Sequence, residues 1–224
     1  MLKDELKKAT AGFADYFENQ RRNIGKSYQI ANEMRELAKK GIVAVKNGDN
    51  QQLAKIQENL KTLWQELREL DIPKDMAWNF DSETGQEMVE LVIVAVLYPL
   101  LRAESDVNES DVQIPLCDDL KVREQIWLAG FGDAVTELGK LNLELLCESS
   151  FSQTERLNLR KRFIQIAQTM RDTLGEFETA YPMVINNSRR RGFGNTYRGL
   201  LLRIDYMITR EREAIAAILD RISV

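Results

Sequence analysis

Histidine is absent from this chain of 224 residues. Its absence excludes Ser-His-Asp and Cys-His catalysis, histidine-ligated zinc, and the Glu-x-x-His di-iron site of ferritin-like bundles. Any chemistry here must use carboxylates, lysine, arginine, tyrosine or hydroxyls. Cysteine is nearly absent: Cys117 and Cys147 are too few and too widely spaced for a disulfide framework or a CxxC site, which points to a reducing compartment, the cytoplasm. Chain breakers are scarce, with 4 prolines and 12 glycines, while 44% of residues are hydrophobic and 29% charged. That balance predicts an all-α protein. There is no basic excess either. With a net charge of −4 and a pI near 5.2, a nucleic-acid surface would have to be local or internal. The charged start "MLKDELKKATAGFADYFENQRRN" lacks the apolar core of a signal peptide. The longest apolar run, from Met88 to Leu101, falls short of the ~20 residues a membrane span needs and contains Pro99, so it predicts a buried core helix and no membrane partner.

What is present is helical periodicity. Ile24, Tyr28, Ala31, Met34, Leu37, Ala38, Ile42 and Val45 recur at three- and four-residue steps, marking one face of a helix over residues 3–47 that Gly12 and Gly25 can bend or divide. "NGDN" supplies a glycine stop and an aspartate start, so a second, antiparallel helix is expected over 51–70. A third helix is predicted from a Ser82 cap to about 103, a fourth from Asp118 or Asp119 to 147, a fifth from Ser152 or Thr154 to 180 with Pro182 closing it, and a last one over 197–222. No internal repeat interrupts this pattern. The expectation is one domain spanning 1–224, a bundle of six or seven helices.

Within the third and fourth helices the acids form pairs. Glu87 and Glu90, three apart, share a helix side, and so do Asp133 and Glu137, four apart in "GFGDAVTELGKL". Like charges beside apolar faces need compensation from Arg or Lys, a shared proton, or a metal ion. Four carboxylates from two facing helices would make a hard oxygen site suited to Mg²⁺ or Mn²⁺. Such an ion would activate water for attack on a phosphodiester. The plainer alternative is a solvated acidic face, because similar spacings occur in "ESDVNESD" and "REREA". Against it stands the apolar, glycine-lined setting of both pairs. Gly130, Gly132 and Gly139 would let the backbone approach a neighbouring helix closely.

"GQEMVELV" and "GFGDAVTELGKLNLELL" resemble motifs of the translin superfamily, in the form of its catalytic, Trax-like subunit type. "RRNIGKSYQIANEMRELAKKGIVAVKNGD" is similar to the family's first helix, and "FETAYPMVINNSRRRGF" with "LLLRIDYMITRE" to the end of prokaryotic members. The resemblance covers most of the chain in order. It implies a seven-helix bundle, a hollow octameric shell enclosing RNA, here as a homo-oligomer, and a Mg²⁺-dependent endoribonuclease site for which Mn²⁺ can substitute. The residues that match its metal-binding and catalytic positions are Glu87, Glu90, Asp133 and Glu137. The stretch from Arg189 to Gly199 is longer and more basic than the family pattern. Arg189, Arg190, Arg191 and Arg198, beside Phe193 and Tyr197, form a possible RNA-contacting loop, with Arg21, Arg22 and Lys26 of the first helix as further basic candidates. The rival expectation is a non-catalytic shell that binds single-stranded RNA or DNA. A third is a structural oligomer whose acids are neutralised by arginine.

Overall fold

The computed structural model describes residues 2–102, 112–181 and 193–222, and among these no strand occurs. Seven helices of nine or more residues and one single turn make an all-α bundle, as the composition predicts. The first expected helix is two: α1 (Leu2–Thr10) and the long α2 (Phe13–Asn47), divided by a turn at Ala11 and Gly12, while Gly25 lies within α2 without breaking it. α2 ends where Gly48 adopts φ 68°, a left-handed conformation that a Cβ would oppose. There the Asp49 N–H donates to the Ala44 carbonyl at 2.9 Å. The Asp49 carboxylate then accepts the Gln52 N–H at 2.9 Å and starts α3 (Asn50–Glu69). So short a connection forces α3 back along α2. Lys26 of α2 meets Glu66 of α3 at 2.5 Å, and the apolar faces carrying Met34 and Trp64 close on each other.

α4 (Lys74–Arg102) starts well before the predicted Ser82 cap. The chain turns helical directly after Pro73, whose carbonyl accepts the Ala77 N–H at 2.8 Å. Ser82 lies inside the helix and its hydroxyl donates to the Asn79 carbonyl at 3.0 Å. Because of this longer start, the stretch Asn79–Arg102 is long and apolar enough by itself to cross a membrane, although 56% of its apolar window is buried in the bundle. Pro99 lies inside α4 and removes the one N–H that would bond the Ala95 carbonyl, yet the helix continues to Arg102. Val89, Leu91, Ile93, Val94 and Leu101 are fully buried, which explains why α4 is apolar on several sides: α2, α3, α6 and α7 all pack against it.

The expected fourth helix is also divided. A single turn, α5 (Cys117–Leu120), ends at Lys121 with φ 52°, and α6 (Glu124–Cys147) begins three residues later. The break has a cause in α3, because the Lys121 carbonyl is taken by the Trp64 indole N–H at 3.3 Å and the Arg68 guanidinium at 2.9 Å. α7 (Gln153–Ala180) has the anticipated Ser152 cap, with Glu155 returning a bond to the Ser152 N–H at 2.7 Å. α8 (Phe193–Ile222) begins four residues earlier than predicted. α7 and α8 pair through Phe163, Leu174, Ile204 and Ile208, and through a buried ion pair between Arg160 and Glu211.

The α4–α6 contact is the most extensive in the bundle. It depends on Gly130, where a Cβ would stand 2.6 Å from the Val89 Cβ and 2.7 Å from the Gln86 carbonyl oxygen. Only a residue without a side chain permits this approach, and it is the approach that brings the two acid pairs together.

A candidate carboxylate site between α4 and α6

Glu87 and Glu90 project from α4 toward Asp133 and Glu137 of α6, so the structure joins the four acids that the sequence pairs two by two. Their proximity is visible in their electrostatics. Burial first, then the charges of Glu87, Asp133 and Glu137, push the Glu90 carboxyl up to about 8 against the opposing pull of Lys140. Burial also raises Glu87, with Asp133 and Glu137 adding to it while Lys39 and Arg35 act the other way. A half-buried carboxylate surrounded by three more is unstable as an anion, and a cation or a proton relieves it.

The protein supplies part of that relief itself. The Lys140 ammonium lies 2.5 Å from Glu137, the Gln86 amide donates to Asp133, and the Arg203 guanidinium of α8 stands 3.8 Å from Asp133. Glu87, Glu90 and Glu137 open onto a cavity of about 460 Å³ between α2 and α6, whose lining includes Lys39, Lys46 and Lys140. Asp133 is not part of that lining and faces Gln86 and Arg203 instead. Among the described residues no three acidic or cysteine side chains already stand together at ligating distance. The donor chemistry nevertheless fits a hard divalent ion: only oxygens, from four carboxylates, one of them pushed toward its neutral form by burial and by the charges of the others. Binding requires that Lys140 and Gln86 release their carboxylates and that rotamers close inward.

Of the basic residues singled out in the sequence, Arg21, Arg22, Lys26 and Arg198 do not line this cavity. Arg189, Arg190 and Arg191 lie outside the described residues, as does the side chain of Phe193. Arg198 pairs with Glu178 at 3.3 Å, Arg21 with Glu18 at 2.7 Å, and Lys26 with Glu66, while Arg22 is exposed on the same stretch of α2. Tyr197, placed by the sequence beside the RNA-contacting arginines, is 1% exposed and donates its hydroxyl to the Leu174 carbonyl. Its ring is buried against α7 and so offers no face to a base. Cations near the acids come from elsewhere: Arg35, Lys39 and Lys46 on α2, Lys140 on α6 and Arg203 on α8. The sequence carried a faint signal of three of them, since Arg35, Lys39 and Lys46 are spaced by four and seven and so share one side of α2.

The chain folds as an all-α bundle of the translin-like kind. Solved structures of that kind align along nearly the whole chain. Apo-NeC3PO matches at 18% identity and TM-score 0.58, over 92% of this chain and 96% of that one. AfC3PO matches at 19% identity and TM-score 0.53, over 96% and 98%, and AfC3PO in complex with duplex RNA at 19% and 0.51 over the same shares. The chain has the fold of these C3PO subunits. No protein-family model matches the sequence, and no curated protein does.

Proposed function

We propose that this protein is a metal-dependent endoribonuclease, hydrolysing phosphodiester bonds of RNA inside an oligomeric, C3PO-like shell. The observation that carries the reading is the meeting of Glu87, Glu90, Asp133 and Glu137 at a half-buried position, where burial first and then the charges of the other three raise the Glu90 carboxyl to about 8. Perturbed carboxylates gathered at a cleft mark functional sites more often than structural ones. The fold adds support, because a C3PO of the same fold has been solved with duplex RNA. In this reading the four carboxylates hold Mg²⁺, or Mn²⁺ in its place. The ion supplies an acidified water and charge neutralisation at the phosphate. The chain's own part is to fix the acids on two rigid helices, to keep bulk water from the α4 side with Leu91, and to accept the proton of the attacking water on a carboxylate. An octamer of identical chains is the assembly proposed.

The rival reading, a shell that binds single-stranded RNA or DNA without cutting it, draws on the engagement of Glu137 by Lys140 and of Asp133 by Gln86. End-labelled RNA incubated with Mg²⁺, Mn²⁺ or EDTA separates the two. The nuclease reading expects cleavage with either metal, none in EDTA, and loss in Glu90→Gln and Asp133→Asn. Binding without cleavage in both metals establishes the shell, and cleavage that survives both substitutions removes these residues from the reaction.

A further inference from the structure

The cavity beside the acids is a groove with two unlike walls. α2 contributes Lys39, Ile42, Val43 and Lys46, and α6 contributes Glu137, Lys140, Leu141 and Glu144, with Glu87, Glu90 and Leu91 of α4 beneath. The two α2 lysines are seven residues apart, which is two turns and about 10.5 Å along the helix axis. Between them lies apolar surface, with Val43 56% exposed among the described residues. Neither lysine is committed to the fold. Lys46 reaches across the groove to Glu144 at 2.6 Å with 43% of its side chain exposed, and Lys39 bonds Glu36 on its own helix at 3.0 Å with 67% exposed. Exposed pairs of this kind contribute about 0–1 kcal/mol, so another anion can replace either carboxylate.

Cation, apolar strip and cation in a line, beginning beside the carboxylates, is the pattern complementary to phosphate, nucleoside and phosphate. The flexible stems of lysine let two ammonium groups set two turns apart draw in to neighbouring phosphates. We infer that Lys39 and Lys46 form the strand-positioning wall of the site: they hold two successive phosphates of an RNA strand as it leaves the carboxylates, with the intervening nucleoside against Ile42 and Val43. This rests on the proposed nuclease reading for its substrate, but not for its geometry. The Lys46–Glu144 contact then closes the groove only while the strand is absent. Arg21, Arg22 and Lys26, farther along α2 and away from the groove, take no part.

The test is the binding of a fluorescent uridine oligomer in EDTA across a salt series, for the wild type, Lys39→Met, Lys46→Met, their arginine counterparts and Lys55→Met. Lys55 is exposed on α3 outside the groove, so its loss removes the same charge elsewhere. Each lost phosphate contact lowers the slope of log affinity against log salt by about 0.7. The methionine variants at 39 and 46 are expected to lose about that slope and several-fold in affinity, the arginine variants to keep both, and Lys55→Met to match the wild type. An unchanged slope in Lys39→Met and Lys46→Met overturns the inference, and so does an equal loss in Lys55→Met. Wild-type cleavage of RNA with unchanged slopes removes this wall alone. Lowered slopes with no cleavage in Mn²⁺ leave the wall and remove the nuclease reading, and a wild type that binds no RNA removes both.

Discussion

Replacing Glu90 with glutamine should make the metal-free protein more stable, not less. A carboxyl raised from 4.5 to about 8 favours its neutral form in the fold. Since the folded value lies above the unfolded one, the contribution is fully present below about pH 4.5 and is lost as the pH rises through 8. At 1.36 kcal/mol per pKa unit the ceiling on that loss is about 5 kcal/mol. The groove beside Glu90 admits solvent, which reduces the effect to about 2–3 kcal/mol. Glutamine has the same shape and no charge to ionise. Thermal unfolding in EDTA at pH 5, 7 and 9 should therefore show Glu90→Gln close to wild type at pH 5 and about 5–10 °C above it at pH 9, given roughly 2–4 °C per kcal/mol for a chain of this size. A divalent ion should act oppositely on the wild type, stabilising it most at high pH and leaving Glu90→Gln unmoved. A variant that loses stability equally at every pH would show Glu90 to be a structural hydrogen-bonding residue and would refute the argument.

Other positions test the frame that carries the acids. Gly130→Ala places a Cβ against the Val89 side chain and the Gln86 backbone, and the overpacking should cost about 1–3 kcal/mol in urea unfolding and weaken metal binding with it. Arg160→Ala leaves Glu211, 5% exposed, without its cation in the α7–α8 interface, a loss of about 3–5 kcal/mol that chemical denaturation should report. Tyr197→Phe removes the hydroxyl from the Leu174 carbonyl and should cost about 1–2 kcal/mol while leaving the salt dependence of RNA binding unchanged, because the ring is core and not a stacking platform.

How much of this was legible in the sequence differs by level. The helices follow from periodicity, and where a cap was strong the boundary was right to within a residue or two: Gly48 and Asp49 end α2 and begin α3, and Ser152 begins α7. Where a tertiary contact decides, the local reading failed. Ser82 has the side chain of a cap, yet Pro73 had already started α4. The break at Lys121 is imposed by Trp64 and Arg68, more than 50 positions earlier in the chain. The two acid pairs were visible from spacing, but their meeting depends on the glycine crossing at Gly130. The basic partners were misjudged for a physical reason: clusters such as Arg21 and Arg22 stand out in a sequence, whereas the cations beside the acids are single residues contributed by three helices. Tyr197 looked like part of a polar loop because its neighbours are arginine and glycine, and only the position of α7 shows that it is buried.

The claim on which the rest depends is that the four carboxylates form one cation site. Crystals soaked in Mn²⁺, with anomalous density measured at the manganese edge, test it directly. The account predicts a peak between α4 and α6 within ligating distance of Glu87, Glu90, Asp133 and Glu137, with Lys140 displaced from Glu137 and Gln86 from Asp133. An empty site in which Lys140 and Gln86 still hold their carboxylates at saturating Mn²⁺ would contradict it.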